Sequence, residues 1–199
     1  MKKLFLAMAI CLCSFANAQI RIVDTFDAAG TLDWNEFAQK EQSALIKMGL
    51  FELENKTQGA LVKSETELPV LPEYDFKVTS KLIVPKIEGD EIFGILFDMD
   101  EKFNRLAFIF KEDYFLACVY NRNGFNWTNA YDEVIKLPKA KNREIEVIIE
   151  QRAGKLIVSY ENIEIFSQRR TLQSPNFGFV TTSKLKIDEV IVEQDYTGE

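Results

Sequence analysis

The 199-residue sequence contains no histidine. That absence removes Ser-His-Asp and Cys-His nucleophile systems, in which an imidazole carries the proton. Of three cysteines, Cys11 and Cys13 stand near the start, so Cys118 is alone in the body of the chain. One cysteine without histidine cannot close a tetrahedral zinc site. A single thiol also gives no intramolecular disulfide, so packing must hold the fold. Cys118 lies in the alternating apolar segment "DYFLACVY", the setting of a buried, inert thiol rather than a nucleophile. Glycine and proline are scarce, at 9 and 5, and no linker, repeat or low-complexity stretch divides the chain. Long apolar runs are missing too. The longest, Leu4 to Cys13, falls well short of the roughly 20 residues of a membrane helix.

What is present begins with a leader. Lys2 and Lys3, the apolar run and Ala16-Asn17-Ala18 have the order of a secretory signal, with cleavage expected after Ala18. Cys11 and Cys13 stand where a lipoprotein leader carries its cysteine, but Ile10 and Leu12 precede them where a small residue is usual. The expected organisation is therefore a signal at 1–18, one domain at 19–195 and a polar tail at 196–199. Cleavage leaves 181 residues, enough to bury a large core without staples. Taking Lys2 and Lys3 from the 24 basic residues leaves 22 against 31 acidic ones, a net charge of −9. Such a surface repels phosphate backbones and anionic lipid, which argues against a nucleic-acid partner. Uncharged sugars remain compatible. The reading places the chain in the periplasm or outside the cell, with no membrane insertion once the signal is gone.

Short apolar segments recur every 8–12 residues with turn residues between them, the spacing of an all-β sandwich or barrel. Alternation predicts strands over 20–26, 44–48, 50–54, 60–64, 74–84, 92–98, 105–111, 114–120, 125–128, 144–151, 155–160, 163–167, 177–182 and 185–193. Asn121-Arg122-Asn123-Gly124 is a hairpin-turn signal, since Asn and Gly tolerate positive φ. "LDWNEFAQKEQSALIKM" has fair helix formers but poor apolar spacing, and reads as a loop and one strand. The strands are too many for a small barrel and suit two packed sheets.

The C-terminal half carries a cadence. Asn142-Arg143-Glu144-Ile145-Glu146-Val147 leads to Gly154-Lys155-Leu156-Ile157-Val158-Ser159-Tyr160-Glu161-Asn162, then Asn176-Phe177-Gly178-Phe179 and Ile187-Asp188-Glu189-Val190-Ile191-Val192. With Phe93-Gly94-Ile95-Leu96-Phe97-Asp98 it resembles the concanavalin A-like lectin/glucanase superfamily. Within it, secreted bacterial domains near family 16 glycoside hydrolases and 3-keto-disaccharide hydrolases are the nearest in pattern. The resemblance implies a two-sheet antiparallel jelly-roll sandwich over most of residues 20–195. It does not select one function, because the fold hosts lectins, hydrolases and inert modules. Asn162 is followed by Ile163 where the pattern has glycine.

Three groups of residues are candidate sites. In "DMDE" at 98–101, family 16 enzymes would carry Glu-x-Asp-x-Glu, or the same with one more residue. Asp98 opens the stretch instead, and no third carboxylate follows in step, so it reads as a polar turn. Asp98, Asp100 and Asn104 could alternatively offer oxygens to calcium, although the dedicated loop spacing is absent. In "EIEVIIE", Glu144, Glu146 and Glu150 share one strand face. Adjacent same-face positions lie about 6.6 Å apart, compared with about 5–5.5 Å for retaining and 6.5–9.5 Å for inverting glycosidases. The plain alternative is a strand with one face in the core and one in water. Third are the aromatics: Trp34, Trp127, Tyr114, Tyr120, Phe125 and Tyr131 could stack on sugar rings. Phe125-Asn126-Trp127-Thr128-Asn129 sets amides among rings, which suits hydroxyl groups, and Asn126, Asn129 and Tyr131 join Phe125 and Trp127 as expected ligand contacts. Sixteen phenylalanines, however, must mostly build the core.

Strand 92–98 is apolar on both faces, so its second face must meet a covering loop, a ligand or a partner. The favoured function is an exported, non-catalytic module for a glycan or cell-surface ligand, without a required cofactor. Two alternatives stay open: a hydrolase working with Glu/Asp pairs, the acid/base groups left without histidine, and a protein-interaction module.

Overall fold

The apolar alternation becomes sixteen strands and, among the described residues, no helix. The computed structural model describes residues 19–27, 31–84, 90–111, 114–126, 135–137, 144–170 and 172–195. In chain order the strands are β1 (Gln19–Asp24), β2 (Phe37–Ala38), β3 (Gln42–Lys47), β4 (Leu50–Asn55), β5 (Val62–Glu67) and β6 (Phe76–Ile83). Then come β7 (Phe93–Met99), β8 (Arg105–Lys111), β9 (Tyr114–Asn121), β10 (Gly124–Asn126) and β11 (Ile135–Lys136). The last five are β12 (Glu144–Arg152), β13 (Lys155–Tyr160), β14 (Ile163–Arg169), β15 (Asn176–Thr181) and β16 (Lys184–Asp195).

They form two antiparallel sheets. The first has nine strands in the order β14-β13-β12-β6-β16-β4-β3-β2, with β1 pairing along the end of β16 that β4 leaves open. The second has seven, β10-β9-β8-β7-β15-β5, with β11 sharing the edge of β9 with β10. Left-handed residues mark the hairpins, among them Met48-Gly49, Ala153-Gly154 and Glu161-Asn162. Glu161-Asn162 closes its turn without the glycine of the family pattern, because asparagine tolerates positive φ.

Side chains alternate across each strand, so one face of each sheet builds the layer between them. Phe51, Leu53, Val78, Leu82, Val147, Ile149, Val190 and Val192 from the first sheet meet Phe93, Ile95, Phe97, Phe108, Phe177 and Phe179 from the second. Trp34 is part of this core and not a surface platform. It is buried, its ring is 5.0 Å from Phe51 and 5.4 Å from Phe179, and its Nε1 donates to Asp24 at 3.2 Å.

Buried polar side chains pin the loops. Gln151 Nε2 donates to the Pro72 and Tyr74 carbonyls while its Oε1 accepts from the Leu172 amide. Gln194 holds both the amide and the carbonyl of Leu71. Each closes backbone groups that burial would otherwise leave unsatisfied.

Two differences from the sequence reading affect the site. The strand expected at 60–64 runs from Val62 to Glu67, because small inward residues (Ser64 and Thr66, both buried) continue the alternation that Val62 begins. Lys63, Glu65 and Glu67 are thereby placed on one outward face. Asp98, read both as the end of strand 92–98 and as the start of a polar turn, belongs to β7, which runs on to Met99. It occupies a bulge where the register shifts between Phe97 and Met99, with φ of 55° and no solvent exposure.

Candidate functional site

The outer face of the second sheet is built from register. Glu65, Gly178, Leu96, Ala107 and Cys118 lie side by side across five strands. Val180, Gly94 and Ile109 form the next row, opposite Lys63. Ile92, Leu96, Ala107, Ile109, Cys118 and Val180 are all buried here as a second apolar cluster, against which Leu61, Tyr120 and Phe125 pack. This is where the second apolar face of β7 goes. Burial pushes the Cys118 thiol up to about 12, consistent with the inert role expected of it.

The two glycines let neighbours lie flat on the sheet. A Cβ on Gly178 would sit 2.5 Å from the Ser64 carbonyl oxygen and 2.6 Å from Glu65 Cγ. One on Gly94 would sit 2.6 Å from Ile109 Cδ1. Over Gly178, the Glu65 carboxylate meets Lys63 Nζ at 2.7 Å and Arg105 Nη2 at 3.1 Å, with Arg105 Nε on its other oxygen. Lys63 Nζ is 5.5 Å from the centre of the Tyr120 ring, and Tyr120 meets Phe125 edge to face at 5.1 Å. Burial, with Glu65 adding to it and Arg105 opposing, raises the Tyr120 hydroxyl above its usual range.

On the other face of β8, β9 and β10, the side of Leu106 and Val119, is a recess of about 290 Å³ lined by Asp100, Asn104, Arg105, Asn121, Asn126 and Arg170 as well as those two residues. Three residues singled out in the sequence, Asp100, Asn104 and Asn126, therefore meet here. Phe125 belongs to the aromatic pair of the outer face. Trp127, Asn129 and Tyr131 lie outside the described residues. Tyr114, on the far part of β9, is exposed.

Two of the three "DMDE" carboxylates, those of Asp98 and Asp100, have separate structural roles. Asp98 Oδ2 accepts from Arg170 Nε at 2.8 Å and Nη2 at 2.6 Å, and its Oδ1 accepts from the amides of Gln173 and Ser174 at 2.8 and 3.0 Å. It fastens the crossover between β14 and β15 to β7. Asp100 closes the turn that follows, accepting from the Lys102 and Asn104 amides and from Asn104 Nδ2, each at 2.8 Å. Both carboxylates thus face hydrogen-bond donors. Among the described residues, no group of three or more His, Cys, Asp or Glu side chains is placed to hold a metal ion.

The hydrogen bond from the Asn104 side chain, against the opposing effect of burial and with help from the Asn104 and Lys102 amides, holds the Asp100 carboxyl below its ordinary value. A depressed folded-state pKa stabilises the fold above the unfolded value, and that contribution is lost as pH falls. Asp100→Ala is expected to cost about 1 kcal/mol at pH 7. Urea titrations should show the cost shrinking as pH drops below about 3.9, the ordinary aspartate value.

The acidic strand β12 turns Glu144, Glu146 and Glu150 to the outer face of the first sheet, away from the recess. There Glu146, Lys81 and Glu189 lie in one row and Glu150, Lys77 and Glu193 in another. Lys81 bonds to Glu189 at 2.7 Å, which raises its pKa. Glu144 and Glu146 also border a recess of about 200 Å³ with Lys81, Glu161 and Asp188.

The feature that the sequence reading missed is the polar row of β5. Its signal was available: the alternation of Val62, Ser64 and Thr66 with Lys63, Glu65 and Glu67 has the period of a strand, but the inward residues are too polar to stand out.

No family model matches the chain, and no curated protein matches its sequence. Solved structures do. The chain is similar to the β-glucanase of Bacillus licheniformis, with TM-score 0.61 and 8% identity over 86% of this chain and 97% of that one. It is also similar to the catalytic domain of the endo-1,3-β-glucanase (laminarinase) of Thermotoga petrophila, with TM-score 0.60 and 10% identity over 92% and 100%. A third is the CBM2 module of the evolved Dit of Lactobacillus casei phage J-1, with TM-score 0.55 and 10% identity over 92% and 99%. At these identities the likeness is one of fold, the concanavalin A-like jelly roll.

Proposed function

We propose that the chain is an exported β-sandwich module that binds a glycan without cleaving it. The observation that carries this reading is the convergence of Asn104, Asn121 and Asn126 in one recess. Carboxamides offer both donors and acceptors to hydroxyl groups. The fold is one that glucanases share. Export rests on the leader-like segment at 1–18, and cleavage after Ala18 would leave β1, which starts at Gln19, whole. The non-catalytic reading is supported by Glu146 and Glu150, each of which stands across from a lysine on an open face.

One observation favours a hydrolase instead. Glu65 and Glu67 share a face of β5 two residues apart, about 6.6 Å by strand geometry, near the separation of an inverting pair. Affinity electrophoresis through gels cast with a panel of polysaccharides tests the first reading. At least one should retard the protein, and incubation with it should release no reducing ends above the blank. Reducing ends that disappear in Glu67→Gln would establish the hydrolase. A panel that retards nothing would remove the glycan reading.

A further inference from the structure

Every charge around the 290 Å³ recess is already answered from within the protein. The Arg105 guanidinium is held on Glu65 and on the Phe103 carbonyl. The Arg170 guanidinium sits on Asp98 through Nε and Nη2. Asp100 is occupied by two amides and a carboxamide. What these residues still offer is neutral or singly directed. Asn121 Oδ1 accepts from the Asn123 amide, and its Nδ2 has no partner among the described residues. The same holds for Asn104 Oδ1 and for Arg170 Nη1.

Resting on the glycan reading above, we propose that this recess takes the uncharged end of a neutral glycan chain, with Arg170 and Asn121 as donors to its hydroxyl oxygens and Asn104 as acceptor. An anionic sugar, carrying carboxylate or sulfate, would seek a guanidinium fork offered edge-on. Both arginines here spend their Nε edge on internal carboxylates. Asp100 lines the same wall, and the chain as a whole is acidic, at −7. A cationic ligand would face the Arg170 guanidinium. Hydroxyl groups ask for single, directed bonds, which is what remains. The volume is at the lower limit of small-molecule pockets, about 300–1,000 Å³, which suits a chain end more than its length.

Calorimetry on the purified protein tests this, using cello-, laminari- and mannohexaose against oligogalacturonate and a heparin-derived hexasaccharide, each at 50 and 500 mM NaCl. The expected result is that at least one neutral hexaose binds, with Kd unchanged within about twofold between the two salts, since no ion pair is screened. The acidic probes should not bind. Arg170→Lys, which cannot present a second nitrogen while held by Asp98, and Asn121→Ala should each weaken the neutral probe at least about tenfold, the equivalent of about 1.4 kcal/mol. Preference for an acidic probe, weakening with salt, would overturn the neutral class and leave a glycan module standing. A neutral probe that both variants bind like the parent would overturn the recess as its site. Binding of no oligosaccharide of either kind would overturn this proposal together with the glycan reading.

Discussion

Asp98→Ala is expected to lower the stability of the domain by about 3–5 kcal/mol, the cost of breaking a buried ion pair from one side. The carboxylate is fully buried and meets two nitrogens of Arg170 and the amides of Gln173 and Ser174. Its removal leaves two backbone amides without an acceptor and takes the counter-charge from the partly exposed Arg170 guanidinium. The backbone adds to the cost, because φ at this residue is 55°, a region that Asp and Asn adopt more readily than Ala. Asp98→Asn should therefore be milder than Asp98→Ala. It keeps an oxygen for the two amides and tolerates the left-handed backbone, but it leaves Arg170 without a counter-charge. Urea midpoints for the two variants check the order. An alanine variant within about 1 kcal/mol of the parent would show that the crossover does not depend on this anchor. Small domains hold only about 5–15 kcal/mol in total, so the expected loss would leave much of the protein unfolded at moderate temperature.

Trp34→Ala is the second large effect, also about 3–5 kcal/mol, as for a buried aromatic truncated in a core. Its indole packs between Phe51 and Phe179, with Phe26 and Phe177 at 6.1 Å on other sides. The Nε1 donor also ends on Asp24, a buried carboxylate that accepts from the Phe26 and Leu32 amides as well. Alanine would open a cavity and leave Asp24 short of one donor at once. Trp34→Phe fills most of the volume and loses only the donor, so its cost should be about 1–3 kcal/mol. Thermal melting separates this from a surface role. A Trp34→Ala variant that melts like the parent but loses glycan affinity would make the ring a platform after all.

The sequence went far with the fold because strand alternation is local. The strands flanking "NRNG" and "RAG" could be read within a dozen residues, and β12 was correctly seen to send Ile145, Val147 and Ile149 inward and its glutamates outward. The leftover apolar face of β7 was visible too, since Ile92, Gly94 and Leu96 alternate with Phe93, Ile95 and Phe97. Tryptophan was harder. Trp34 sits in an irregular segment between β1 and β2, where no period states which way a side chain points, and only its packing against four phenylalanines puts it inside.

Sequence alone determined an all-β chain without histidine chemistry, acidic overall, built of alternating strands with a leader-like start. The tertiary structure decided which polar residues meet. Asp98 and Arg170 are 72 residues apart in the chain, and Arg105 and Glu65 are 40 apart. Their pairings follow from the register of β5, β15, β7 and β8 and from a one-residue bulge. A shift of one residue turns every side chain of a strand to the other face. Composition and spacing specify which residues alternate, but not which strands become neighbours or where a bulge interrupts them. That is settled only when the two sheets pack and the inward faces fill the space between them, and the outward rows follow from it.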